Sequence, residues 1–383
     1  QPAWLVLADG TCFRGFAFGH RGEVEGEVVF NTSLSGYPEL LTDPSYKRQI
    51  VTLTYPEIGN YGVAKRDAES AGVQVSGLVV RSLSSQVSNW RSDVALEEWL
   101  QEAMVPGICG IDTRALVRHI RDEGAMMGIL SSLPDADPVS LAARAKALPS
   151  MAGCALIDEV TCDAPYEHTD GLEDDDGSPI APLSPPRFHV VTIDLGMKRM
   201  MARLLVHHGC RVTIVPASTS ADDVMALHPD GVFLTNGPGD PATAVTTTET
   251  VAGLLGRVPI FGICMGHQVL AQAIGAKTYK TRFGHRGGNQ PVIGPDGRVL
   301  ITSQNHGFAV DTTTLPPHAQ QSHRNLSDDT NEGLSLPEHW AFSVQYHPEA
   351  APGPYDARGH FQTFIELMER FRATRAAPHQ VAS

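Results

Sequence analysis

Residues 259–268 read Pro-Ile-Phe-Gly-Ile-Cys-Met-Gly-His-Gln, and this stretch decides how the second half of the chain folds. Its first five residues are typical of a buried strand, and a helical pattern follows. Glycines at 262 and 266 permit a sharp strand-to-helix turn with the side chain of Cys264 at its apex. The helix N-terminus favours a thiolate, and its N–H groups can receive an oxyanion. We therefore predict that Cys264 is a nucleophile rather than an ordinary buried cysteine.

Strand and helix patterns alternate through the rest of this half. Such alternation predicts a mostly parallel α/β sheet covered by helices on both faces. Ligands bind such sheets at the carboxyl ends of the strands, where Cys264 is placed. The predicted strands are 188–193, 211–215, 231–234 and 260–263, and the predicted helices are 198–208, 221–227, 248–255 and 268–274.

The first half has short β-like runs at 4–7, 26–30 and 49–53, separated by glycine-rich turns. A helical pattern begins at Thr113 with Asp112 as its N-cap. These features predict a strand-rich α+β domain. Between the halves, acids, prolines and glycines dominate, so that stretch cannot bury enough apolar surface to order itself and is predicted to be a linker. The predicted organisation is residues 1–157, a linker over 158–186, and residues 187–383.

A nucleophilic cysteine needs a base and a group that orients the base. The alternating run 341–346 is followed by His347-Pro348-Glu349. The proline holds His347 extended, and Glu349 can then point its carboxylate at the imidazole. His267 is the second choice of base, because a histidine on the nucleophile's own helix is badly placed to face the thiol.

A third motif, Gly237-Pro238-Gly239-Asp240-Pro241, follows the predicted strand 231–234. Taken alone, it is a tight turn. Two glycines at the carboxyl end of a strand also leave backbone N–H groups bare, as an oxyanion hole requires. Together with the cysteine turn and the His-Pro-Glu sequence in the same half, the motif indicates one active site.

The composition restricts the partners and the compartment. The chain has 383 residues and a formal net charge of −14, which disfavours nucleic acid and anionic membranes as partners. No apolar run reaches the about 18 residues of a membrane span. Six cysteines are scattered without a C-x-x-C pair. The first residues lack a basic segment followed by an apolar run, so we expect no signal peptide. We expect free thiols, a cytoplasmic protein and no metal site.

The three motifs together resemble the class I glutamine amidotransferases, which use a Cys-His-Glu triad. The first half of the chain indicates which group of amidotransferases it resembles. Residues 36–46 (GYPELLTDPSY), 49–56 (QIVTLTYP) and 107–114 (GICGIDTR) look like the N-terminal domain of the carbamoyl phosphate synthetase small-chain family. Residues 284–287 (GHRG) and 303–310 (SQNHGFAV) also follow that family. The resemblance covers essentially the whole chain.

This resemblance implies a role for each site residue. Cys264 would be the nucleophile, His347 the general base and acid, and Glu349 the orienting carboxylate. The N–H groups of Gly237 and Met265 would form the oxyanion hole. Met265 stands where the family often has leucine, which a backbone donor tolerates. The residues implied for the L-glutamine pocket are Ser45, Gly237, Gly239, Met265, Gln268, Asn305, Gly307 and Phe308.

The resemblance also implies a partner, a large subunit that binds ATP and Mg²⁺ and makes carbamoyl phosphate for pyrimidine and arginine synthesis. The chain itself has no G-x-x-x-x-G-K-[ST] loop, so we expect no cofactor on it. Met200 stands where the family usually has asparagine, with no expected catalytic effect. Three alternatives remain at this point: an amidotransferase serving another acceptor, such as anthranilate or GMP synthetase, a non-catalytic scaffold, and a redox thiol.

Overall fold

The first half of the chain forms a closed β-barrel with helices around it. The computed structural model describes residues 1–376, so positions 377–383 of the predicted second domain lie outside the described residues. Seven strands close the barrel in the order β1-β2-β8-β6-β4-β3-β9, and β5 pairs with β7 apart from it. The strands are β1 (Pro2–Leu7), β2 (Cys12–Gly19), β3 (Glu23–Asn31), β4 (Gln49–Leu53), β5 (Glu57–Ile58), β6 (Gly77–Val79), β7 (Ser82–Leu83), β8 (Pro106–Cys109) and β9 (Met126–Ser131).

Four helices pack around the barrel. Asp112 caps the third of them, because its carboxylate accepts a hydrogen bond of 2.9 Å from the N–H of Ala115. Strand β4 is buried along its whole length, as its apolar run predicts. The prediction of a strand-rich α+β domain is confirmed. The helices are α1 (Tyr37–Leu41), α2 (Leu96–Glu102), α3 (Thr113–Glu123) and α4 (Pro138–Ala147).

The second half is built on a ten-stranded sheet in the order β10-β12-β11-β13-β14-β19-β18-β17-β15-β16. Its strands are β10 (Tyr166–His168), β11 (Phe188–Asp194), β12 (Cys210–Pro216), β13 (Gly231–Leu234), β14 (Ile260–Ile263), β15 (Thr278–Ile293), β16 (Val299–Val310), β17 (Gln320–Asn325), β18 (Asn331–Leu336) and β19 (Ala341–Val344). Its helices are α5 (Arg199–His207), α6 (Ala221–Ala226), α7 (Val245–Leu254), α8 (Met265–Ala273) and α9 (Gly359–Ala376).

The five central strands, β12, β11, β13, β14 and β19, run parallel. Buried residues of α5 and α9 cover one face of this part of the sheet, and buried residues of α6, α7 and α8 cover the other. The prediction of a mostly parallel sheet covered by helices is therefore confirmed here. An antiparallel extension from β18 to β16 was not predicted, because the polar run at 284–290 has the composition of a loop.

The predicted linker, residues 158–186, is not irregular throughout. Tyr166–His168 forms β10, which pairs antiparallel with the edge of β12. An exposed strand edge offers free N–H and C=O groups, so even a polar segment can pair there. Where each domain begins and ends stays a prediction. Over residues 1–376, no helix combines the length and apolarity needed to cross a bilayer.

Candidate active site

Four neighbouring parallel strands bring side chains to one edge of the sheet. The segments that follow β11, β13, β14 and β19 contain Lys198, Asn236, Cys264 and His347 respectively. Because these strands are adjacent and parallel, their carboxyl ends meet. The sequence motifs recognised separately therefore converge in space.

The turn at Cys264 is as sharp as the sequence predicts. Cys264 has φ 54° and ψ −103°, outside the common regions for a side-chain-bearing residue. Helix α8 begins immediately after it, three residues before the predicted start. A Cβ on Gly262 would lie 2.7 Å from the carbonyl oxygen of Gly266, and one on Gly266 would lie 2.5 Å from that of Leu234. Both flanking glycines are therefore required by backbone contacts.

The backbone around Cys264 leaves a donor available. The N–H of Cys264 donates to Val344 O and that of Gly266 to Thr235 O, both at 2.9 Å. The N–H of Met265 is the first of helix α8 and has no acceptor within the helix. Gly237 packs closely, since a Cβ there would lie 2.2 Å from Leu195 O. The role of the Gly237 and Met265 N–H groups as an oxyanion hole stays a prediction.

His347 reaches Cys264 because β19 pairs with β14, with Val344 opposite Ile263. Its Nδ1 lies 2.7 Å from Glu349 Oε1, while its Nε2 has no hydrogen-bond partner. The Cys264 thiol, only 3% exposed, contacts Asn305 O at 3.6 Å. Burial by itself lowers the pKa of His347, but the Glu349 charge and the interaction with Cys264 raise it to about 10. The imidazole is thus cationic at neutral pH.

The second-choice base, His267, is engaged elsewhere. Its Nδ1 lies 2.9 Å from Ser343 Oγ, and burial lowers its pKa to about 3. A ring held neutral in this way and bonded to Ser343 is not placed to exchange a proton with Cys264. The geometry therefore favours His347.

Glu349 has a second cationic partner that sequence reasoning missed. Its Oε1 accepts from Lys198 Nζ at 2.9 Å, and the same ammonium donates to Ala350 O. Burial raises the pKa of the Glu349 carboxyl, but Lys198 and His347 outweigh this and lower it to about 2. Lys198 is itself fully buried, and Glu349 leads the charges that keep its pKa raised against the effect of burial. Lys198 follows β11 at the same edge of the sheet as Cys264 and His347. That placement could have identified it as a site residue from the sequence.

All eight residues predicted for the glutamine pocket line one cavity of about 30 Å³ together with Cys264. Gln268 is fixed there by hydrogen bonds from its Nε2 to Phe308 O at 2.8 Å and Gln345 Oε1 at 3.0 Å. That these residues bind glutamine stays a prediction. Besides Cys264 and these eight residues, the cavity is lined by six that were not predicted for the pocket: Glu27, Gln49, Met151, Pro238, Arg286 and His306.

The barrel supplies one wall of this cavity. Asn236 Nδ2 donates to Ser45 Oγ at 2.8 Å and to Asp43 Oδ1 at 3.1 Å. Asn305 Nδ2 donates to Asp43 Oδ2 at 2.8 Å, and the N–H of Ser45 donates to the same carboxylate at 2.9 Å. Asp43, Asn236 and Asn305 are all buried. A polar network therefore joins the two halves directly beside Cys264.

A larger cavity of about 570 Å³ lies between the barrel, residues 172–180 and the segment after Glu349. Charged side chains such as Arg66, Glu69 and Arg203 line it, but no cysteine or histidine does. We therefore assign the chemistry to the smaller cavity at Cys264.

Comparisons with known proteins cover both halves. Residues 5–130 match the family model described as carbamoyl-phosphate synthase small chain, CPSase domain, and residues 191–367 match glutamine amidotransferase class-I. The carbamoyl phosphate synthase small chain of Syntrophotalea carbinolica is 55% identical over 98% of this chain and 100% of its own. The chain belongs to the carbamoyl phosphate synthase small chain family. The carbamoyl phosphate synthase small chain of Rhodopirellula baltica is 50% identical, with 96% of each chain covered. That of Vibrio cholerae is 49% identical over 97% of this chain and 100% of its own.

Membership in the small-chain family establishes the class of enzyme. The chain is the glutamine-hydrolysing subunit of carbamoyl phosphate synthase, with an amidotransferase half and the N-terminal half characteristic of small chains. This disfavours the alternatives of an anthranilate or GMP synthetase subunit and of a redox thiol.

One group in this small chain has the composition of a metal site. Single ligand atoms of His285, His306 and Glu332 lie within 4.8 Å of one another, the only such group among residues 1–376. Both ring nitrogens of His306 already contact protein oxygens, on Phe308 and Gln304. His285 Nε2 lies 2.8 Å from an Asp328 oxygen. The cluster is therefore a hydrogen-bonded network rather than a set of open metal ligands.

Replacing Lys198 with methionine should lower the free energy of unfolding by about 3 kcal/mol, because it leaves the Glu349 charge buried with one partner fewer. Chemical denaturation measures this. The matched control is Arg257→Met, whose ion pair with Asp222 at 3.4 Å is exposed. That change should cost less than about 1 kcal/mol. Equal effects of the two substitutions would contradict the proposed role of Lys198.

Proposed function

We propose that this chain hydrolyses glutamine with a Cys264–His347–Glu349 triad and delivers the ammonia to a large subunit, which makes carbamoyl phosphate from bicarbonate and ATP. The observation that carries the proposal is the arrangement around His347. Glu349 holds its Nδ1 at 2.7 Å, while its Nε2 is left without a protein hydrogen bond in the vicinity of the buried thiol. This is the relation of nucleophile, base and orienting group that covalent acyl transfer needs.

The reaction begins with attack of the Cys264 thiolate on the side-chain carbonyl carbon of glutamine. The tetrahedral oxyanion is stabilised by the N–H groups of Gly237 and Met265, a contribution of about 3 kcal/mol per donor in comparable enzymes. His347, protonated at neutral pH, gives its proton to the leaving nitrogen. The C–N bond breaks, and ammonia and a γ-glutamyl thioester form.

Hydrolysis of the thioester completes the cycle. His347, now neutral, takes a proton from water as the water oxygen attacks the thioester carbonyl. The C–S bond breaks, glutamate leaves, and the thiolate–imidazolium pair is restored. Glu349 keeps the ring in one orientation throughout. The substrate is held by the eight pocket residues Ser45, Gly237, Gly239, Met265, Gln268, Asn305, Gly307 and Phe308.

The partner follows from the fate of the product. Ammonia released into water is protonated and ceases to be a nucleophile, so it must pass directly to its acceptor. The chain contains no phosphate-binding loop of the Walker type, and ATP and Mg²⁺ are therefore assigned to the large subunit. We assign the complex to the cytoplasm and its product to pyrimidine and arginine biosynthesis, as the family resemblance implies.

The test uses glutamine labelled with ¹⁵N in its amide, together with the large subunit, bicarbonate and Mg·ATP. Carbamoyl phosphate should carry the label even when unlabelled ammonium is present in the medium, because the ammonia does not mix with solvent. Glutaminase activity of the isolated chain should be slow and should rise when the large subunit is added. Full activity of the isolated chain, or loss of the label to the medium, would contradict the coupling.

A further inference from the structure

Arg286 is a buried cation in the glutamine cavity to which the proposed mechanism gives no role. Its side chain is only 4% exposed, and it lines the same cavity as Cys264, Gly307 and Phe308. It lies on β15 opposite Asn305 of β16. Arg286 therefore belongs to the site by position, although the triad chemistry does not use it.

The guanidinium has few protein partners. Its Nη1 donates to Phe283 O at 2.7 Å, while its Nε is buried without any hydrogen bond. Among residues 1–376, no carboxylate lies within ion-pair distance of it. The Glu27 carboxylate in the same cavity is instead bound by Lys280 and Gln49. Burying a charge without a partner is costly. We therefore expect a bound ligand to supply the anionic partner that the protein does not give to Arg286.

Two glycines make room for this side chain. A Cβ on Gly284 would lie 2.6 Å from Nη1, and a Cβ on Gly307 would lie 3.2 Å from Nη2. Gly284 also has φ 73°, which favours glycine. The guanidinium is therefore flanked by two positions without a side chain, of which Gly284 is also required by its close approach to His306 O, 2.3 Å from a Cβ there.

We propose that Arg286 pairs with the α-carboxylate of glutamine and so selects a free amino acid as the substrate. This inference rests on the proposed function, because it concerns the same cavity. When the γ-carbonyl is at Cys264, the α-carboxylate is the only anionic group of glutamine. A guanidinium matches a carboxylate with two parallel N–H···O bonds, which an ammonium cannot reproduce.

A rival role is electrostatic support of the Cys264 thiolate. The Glu27 carboxylate and the Cys264 sulfur are the groups of this cavity that act electrostatically on Arg286. A role on the thiolate would act on every substrate equally, whereas carboxylate recognition acts only on substrates that carry the carboxylate. The two roles therefore predict different kinetics.

The test compares glutamine with glutamine α-amide, which lacks the carboxylate charge, as substrates of the assembled complex. Arg286→Met should raise the KM for glutamine about 100-fold, because a charge-assisted pair is lost. It should leave hydrolysis of the α-amide unchanged, so that discrimination between the two substrates disappears. Arg286→Lys should restore only part of the discrimination. The control Arg282→Met, on the exposed side of the same strand, should change neither value.

A second measurement distinguishes recognition of the α-carboxylate from electrostatic support of the Cys264 thiolate. The rate at which iodoacetamide alkylates Cys264 should follow the same pH profile in the wild type and in Arg286→Met. A shifted profile, or an unchanged KM for glutamine, would overturn the proposal. Ammonia-dependent synthesis reports that each variant folds and assembles. If the wild type does not hydrolyse glutamine, the proposed function fails. If the wild type hydrolyses glutamine and the Arg286 variants show the same kinetics as the wild type, only this inference fails.

Discussion

Replacing Cys264 with serine should lower glutamine-dependent synthesis of carbamoyl phosphate about 10⁴-fold or more. A serine hydroxyl is far less ionised than a thiol at neutral pH, so it attacks the amide and forms the corresponding oxygen ester far more slowly. The substitution changes one atom at a buried position and leaves the turn between β14 and α8 intact. Ammonia-dependent synthesis by the assembled complex should therefore persist, since it bypasses Cys264. Both rates are measured with the large subunit present.

The matched control is Cys210→Ser. Cys210 is also buried, but it lies in β12, and burial raises the pKa of its thiol to about 12. It should keep glutamine-dependent synthesis close to that of the wild type. Equal loss of the glutamine- and ammonia-dependent rates in Cys264→Ser would show that this cysteine supports the complex rather than the chemistry.

The second large effect concerns the two triad partners of Cys264. His347→Asn should reduce glutamine hydrolysis about 10³-fold, because no group then carries protons to and from the reacting atoms. Glu349→Gln should reduce it by a smaller factor, about 10²-fold, since the imidazole remains but loses its anionic partner. Steady-state rates at saturating glutamine give both values. The reverse order would contradict the assigned roles.

The same variants should differ in the pH dependence of their stability. The pKa of His347 is raised from 6.5 to about 10, so its contribution is fully present below pH 6.5 and is lost as pH rises through about 10. The pKa of Glu349 is lowered from 4.5 to about 2, so its contribution is present above pH 4.5 and is lost as pH falls toward 2. Chemical denaturation of each variant and of the wild type over these pH ranges measures both contributions to the free energy of unfolding.

The strand-to-helix turn could be predicted from local sequence because the apolar run before Cys264 defines the strand and flanking glycines permit the sharp turn. Gly262 is needed for a backbone contact within the turn, whereas the contact that requires Gly266, with Leu234 of the neighbouring strand β13, is visible only in the fold. The start of α8 was misplaced by three residues because Met265 and Gly266 carry no capping signal of their own. Strands β15 and β16 were not predicted because the polar run at 284–290 has the composition of a loop, and nothing in it shows that Arg286 lines a cavity while Asn289 is exposed.

The charged residues of the site were predictable only where a motif marked them. Glu349 follows His347 closely in sequence, whereas its partner Lys198 lies 151 positions away. Arg286 and Glu27 come from different halves and line the same cavity only after the barrel docks on the sheet. No periodic pattern tells which residues of one domain will face another. Ser45 could be named in advance only through the resemblance to the small-chain family.

The hydrogen bonds of Asp43 to Asn236 and Asn305 have an evolutionary consequence. Transplanting the sheet half without the barrel half would remove Asp43 and leave the buried amides of Asn236 and Asn305 without this acceptor. Changes at position 43 must be matched at positions 236 or 305, so these sites should covary among small chains.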